Sequence, residues 1–76
     1  MSIAFNLALS NDVSVDVFNI RGQKVRSLHR GKLAGGNHSL RWDGRDDSGR
    51  GVASGVYFAR VQTKEESKTI RMMLMK

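Results

Sequence analysis

Cysteine and proline are both missing from the 76 residues. Without thiols no disulfide can staple the fold, so stability has to come from strand pairing and packing, and cysteine usage gives no reading of the compartment. The sequence also lacks any apolar run approaching the roughly 18 residues of a membrane-spanning helix, which speaks against membrane insertion. Met1-Ser2-Ile3-Ala4-Phe5-Asn6 has neither the basic lead nor the apolar centre of a signal peptide, so an export address would lie elsewhere. Ten-residue helical periods, heptads, internal repeats and low-complexity tracts are absent too. What remains is ordinary globular composition, 39% hydrophobic and 26% charged, at a length that allows one domain over residues 1–76. A chain this small hides about 60% of the surface it exposes when unfolded and has little volume to spare for a deep cleft. That weighs against an enzyme. The first strand begins at once, so the chain, from Met1 on, reads as a fragment of a larger protein.

Charge of one sign dominates: the formal net charge is +6 and the sequence pI about 10.6. Such a balance raises nucleic acid, anionic polysaccharide or a membrane surface as partners. The thirteen Lys and Arg residues are, however, scattered among strands and turns without a block of like charge. A solvated, solubilising face accounts for that pattern better than a dedicated polyanion site, and no specific nucleic acid is expected.

Period-two alternation runs through the chain. Ile3, Phe5, Leu7 and Leu9 alternate with Ala4, Asn6 and Ala8 until Ser10-Asn11-Asp12 breaks the pattern. Val13, Val15 and Val17 alternate with Ser14, Asp16 and Phe18, a β-branched run suited to a half-buried pleated surface. Asn19-Ile20-Arg21-Gly22 can reverse the chain into a strand over residues 23–28, where Val25 and Leu28 break strict alternation. A bulge, or a strand end near Ser27, would explain the break. Residues 29–36 read as a basic, glycine-punctuated loop, after which His38, Leu40 and Trp42 line one face of a further strand. Residues 43–51, with three Asp and three Gly, read as irregular. Val52-Ala53 is a short apolar return, and Tyr57, Ala59 and Val61 form the core face of the next strand, opposite Arg60 and Gln62. The last strand spans residues 68–76, with Ile70, Met72 and Leu74 inward and Met73 and Met75 outward. About seven short strands separated by turn signals predict an all-β, immunoglobulin-like sandwich of two antiparallel sheets.

Candidate chemistry is sparse. Asp43, Asp46 and Asp47 with Gly49 could gather oxygen ligands around calcium, but their spacing departs from an EF-hand loop and Arg45 and Arg50 compete as counter-ions. Aspartates of this kind more often bond their own backbone in turns. His29 and His38 have no Cys or carboxylate at metal spacing, and no serine sits in a nucleophile elbow. Trp42 and Tyr57 could stack on a sugar or base, although a Trp alternating with Leu40 is more often the plug of a sandwich. No glycine-rich phosphate cradle is present, and no cofactor is expected.

Trp42-Asp43-Gly44-Arg45-Asp46-Asp47-Ser48-Gly49-Arg50, followed by residues 52–61 with Gly55-Val56-Tyr57-Phe58, resembles the C-terminal sorting domain of type IX secretion cargo. It is also similar to the immunoglobulin-like domain of the flagellar hook-capping protein. The likeness extends to residues 13–25, to Gly35-Gly36-Asn37-His38 and to the closing residues 68–76, nearly the whole chain. It departs in two places. The Asn-Pro-rich segment common before the first strand is missing, and His38 stands where the family carries an aromatic residue.

The resemblance implies a secreted or surface-exposed bacterial protein, in which a covalently linked N-terminal cargo is passed through the outer membrane because secretion machinery proteins recognise the folded module. Such a signal is read on an exposed edge or terminal strand, whose main chain is open to strand addition. Lys68, Arg71 and Lys76 are the candidate recognition residues, while Trp42, Asp43, Gly44, Asp46, Gly49, Gly55 and Tyr57 maintain the fold. Two further readings stand beside it: a hook-cap-like structural or assembly domain, and an accessory module for anionic polysaccharide or nucleic acid.

Overall fold

The valine run becomes the centre of the molecule. In the computed structural model, which describes residues 1–75, β1 (Ser2–Leu7), β2 (Asn11–Phe18), β3 (Lys24–Leu33), β4 (Gly36–Arg41), β5 (Gly55–Gln62) and β6 (Ser67–Leu74) make up the regular structure. Lys76 lies outside the described residues. β1 and β4 form an antiparallel two-stranded sheet, and the other four strands form an antiparallel sheet in the order β3-β2-β5-β6. Alternation decides what lies between the layers: Ile3, Phe5 and Leu7 from one sheet face Val13, Val15, Val17, Tyr57, Ala59, Val61, Met72 and Leu74 from the other, with Trp42 among them. Non-directional burial of apolar surface on these facing strands is what holds the two layers together.

Six strands replace the expected seven. Val52-Ala53 adds none; instead Arg45 and Gly51 make an isolated bridge across the aspartate-rich segment. Leu9 does not continue β1: the strand ends where Leu7 meets Gly36, and Leu9, beyond the bend, is 79% exposed. Gly35 fits against that bend, where a Cβ would come within 3.3 Å of the Ala8 carbonyl.

The larger correction concerns residues 29–33, read as loop and found as the second half of β3, paired with β2 from Val15↔His29 to Asn11↔Leu33. Their polar character hid them, because a sheet-edge strand can carry charge on both sides of its pleat. The irregularity near Ser27 is a true bulge rather than a strand end. Val15 faces His29 and Asp16 faces Ser27, leaving Leu28 extra, and a second shift leaves Val25 extra between Val17↔Arg26 and Phe18↔Lys24. Both surplus residues turn their side chains against the core.

Candidate protein-recognition site

The motif from Trp42 to Tyr57 builds a rigid corner. Trp42 is 1% exposed, its indole N–H donates to the Arg45 carbonyl at 2.9 Å, and its ring meets the Tyr57 ring edge-on at 5.1 Å. The Tyr57 hydroxyl in turn donates to the Ala53 carbonyl at 2.7 Å, so each buried polar handle is satisfied. Gly44, at φ +76°, and Gly49, at φ +88°, take the left-handed turns that a side chain would oppose. Gly55 opens β5.

Each aspartate of this segment is engaged in holding backbone. Asp43 Oδ1 accepts the Arg45 N–H at 3.1 Å. Asp46 Oδ1 accepts the Ser48 hydroxyl at 2.7 Å and the Ser48 and Arg50 N–H groups at 3.0 Å. The Ser48 hydroxyl is the largest cause, ahead of the Arg50 N–H, of a carboxyl held below its ordinary value near 3.8. Asp47 reaches the sheet itself: its N–H donates to the Val25 carbonyl at 3.1 Å and its Oδ1 accepts the Ser27 N–H at 3.0 Å. Arg26 ties the segment down, with Nη1 3.3 Å from the Asp46 carbonyl and 3.6 Å from Asp43 Oδ1. The aspartate-rich segment therefore covers the bulged half of β3, at one edge of the four-stranded sheet.

The opposite edge is different. β6 pairs with β5 along its full length, Gly55↔Leu74 to Gln62↔Ser67, and has no second neighbour among the described residues. Alternate N–H and C=O groups of an edge strand point away from the sheet and can pair with another chain. Lys68 and Arg71 are both exposed on it, yet they do not converge. Lys68 sits opposite Val61 on the core-facing side of the pleat, Arg71 opposite Phe58 on the outer side.

His38 keeps an aromatic's place: its ring stacks on Phe5 with centroids 5.5 Å apart, and Nε2 lies 2.6 Å from the Ala34 carbonyl. Missed from the sequence was the outer face of the large sheet. Phe18, Phe58 and Arg71 stand in one cross-strand row with Lys24, and Asp16, Arg60 and Thr69 occupy the next. The signal was a second apolar parity, Val56 and Phe58, out of phase with Tyr57, Ala59 and Val61. Asp16 is only 6% exposed on this face, 3.6 Å from both Lys24 Nζ and Arg30 Nη2.

The profile of the FlgD Ig-like domain matches residues 1–67. Among solved structures, FLGD from P. aeruginosa is similar over 95% of this chain and 55% of its own, at 33% identity and a TM-score of 0.76. PorZ, a bacterial surface component of the type-IX secretion system of Porphyromonas gingivalis, is similar over 99% of this chain and 11% of its own, at 22% identity and a TM-score of 0.57, a likeness of fold alone. No curated protein matches. The chain spans about half the length of the FLGD chain it resembles. With a two-sheet antiparallel architecture and that profile across most of its length, the chain belongs to the FlgD Ig-like domain family.

Proposed function

We propose that this domain is a non-enzymatic assembly module of the hook-cap type, which holds a larger exported protein in place through contacts with other proteins. The 33% identity to FLGD across 95% of the chain carries this reading. The fold fits it, since the motif segment is spent on keeping the corner and covering the bulged half of β3, while β6 and the outer face are left for contact. Exchanging the Ig-like domain of P. aeruginosa FLGD for residues 1–76 tests the idea. Hooks and swimming should return; a chimera that accumulates and is exported without building hooks would count against it.

A second reading, a sorting module for type IX export of an N-terminal cargo, draws support from the open β6 edge with its exposed Lys68 and Arg71 and from the fold likeness to PorZ. Here secretion machinery would pair with the terminal strand. A reporter joined to residues 2–76, expressed where the type IX apparatus works, should leave the cell. Retention with the native upstream segment restored would remove this reading.

A further inference from the structure

We propose that the outer face of the four-stranded sheet docks an acidic polypeptide segment carrying an aromatic or long aliphatic side chain. This deepens the protein-contact reading given above and rests on it. The β1-β4 sheet covers the inner face, whereas no element pairs with or packs over the outer one among the described residues. On it Phe18 and Phe58 are directly opposite and half-buried, Val56 lies in the next row, and Met73 beside it is 54% exposed. Aromatic, Met and Arg side chains grouped in this way are the composition of interface cores, not of an idle solvated face.

Charge decides the partner. Lys24 and Arg30 already share the Asp16 carboxylate at 3.6 Å each. Arg60 and Arg71 have no carboxylate partner among the described residues. Arg60 is stacked instead, its guanidinium carbon 4.6 Å from the Phe18 ring centroid. A stacked guanidinium is held in one plane with its N–H edges directed outward, ready for bidentate contact with a carboxylate. Arg71, directly opposite Phe58, and Arg60, one same-face row from it, border the same side of a strip made by two phenylalanines and Met73, and together they fit carboxylates placed next to an apolar side chain. A nucleic-acid backbone needs a longer track of cations than these two, because its affinity comes from many neutralised phosphates.

The probe is a fluorescein-labelled peptide of glutamates interrupted by one phenylalanine and one leucine, titrated against the 76-residue chain. All-glutamate and lysine-substituted peptides and a single-stranded oligonucleotide serve as comparators. The mixed peptide should bind tightest and shift the resonances of Phe18, Phe58 and Met73. The doubly reversed variant Arg60→Glu with Arg71→Glu, checked for an unchanged β spectrum, should bind on the order of tenfold more weakly or worse. Met73→Ser, at an exposed position, should weaken the mixed peptide but not the all-glutamate one. Equal binding of both acidic peptides, tighter binding of the oligonucleotide, shifts confined to other surfaces, or indifference to the reversed arginines would each overturn the proposal. In the FLGD chimera the same reversed arginines separate the two ideas: if hooks form with and without them, this surface is wrong and the assembly reading stands.

Discussion

Trp42, the largest of the fully buried side chains among the described residues, fills the gap between sheets and also fixes the Arg45 carbonyl of the following turn. Trp42→Ala should cost about 3–5 kcal/mol, enough to leave a domain of this size largely unfolded, and a urea melt followed by circular dichroism would register it. Tyr57→Phe removes only the bond to the Ala53 carbonyl and should cost about 1 kcal/mol with the fold intact. Gly49→Ala is informative in another way, because the added Cβ meets no atom within 4 Å while φ is +88°. Its cost, about 1–2 kcal/mol, would therefore be conformational, and a second substitution in the surroundings should not relieve it. Asp46 gives the molecule a pH dependence. Its folded-state pKa lies below the ordinary 3.8, so its contribution is complete above that value and is lost as pH falls through the lower, folded one. Melting temperatures of the native chain and Asp46→Asn should differ most above pH 3.8 and draw together as the pH is lowered beneath it.

At the scale of elements, the edges of the large sheet are treated unequally. Asp47 supplies an N–H and a carboxylate to the bulged stretch of β3, so Asp47→Ala should uncover the Ser27 N–H and cost about 1 kcal/mol. It should also raise self-association, seen as a concentration-dependent sedimentation coefficient; a strictly monomeric variant would show that the bulges alone protect this edge. Legibility in the sequence follows from the same inequality. β2 was readable because Val13, Val15 and Val17 keep one parity, and β5 because Tyr57, Ala59 and Val61 do so opposite Arg60 and Gln62. β3 was half lost because two bulges break its parity and its far half is polar. Asp43 and Asp46 accept from N–H donors two to four residues away, a local pattern that a sequence can carry, but Asp47's donor on Ser27 is 20 residues distant and no local pattern could reveal it.

For the molecule as a whole, the sandwich was legible from strand spacing, and the buried Trp42, Tyr57, Ala59 and Val61 from period two. The outer face was not, because Phe18, Phe58 and Arg71 become neighbours only through the register of β2, β5 and β6. Asp16 escaped notice for a similar reason: a carboxylate in a strand reads as solvated until Lys24 and Arg30 from the neighbouring strand close over it. Removing its charge by Asp16→Asn frees both cations, and the acidic mixed peptide should then bind more tightly, a change that fluorescence titration at two salt concentrations would measure.

The placement of Lys68 and Arg71 on opposite sides of one ribbon limits what kind of receptor could read them together. A flat plate laid against the sheet would feel only the arginine. A jaw that closes around the strand from its free side would feel both, so single reversals at the two positions act as a gauge of receptor shape: equal damage means a jaw, and damage from Arg71→Glu alone means a plate.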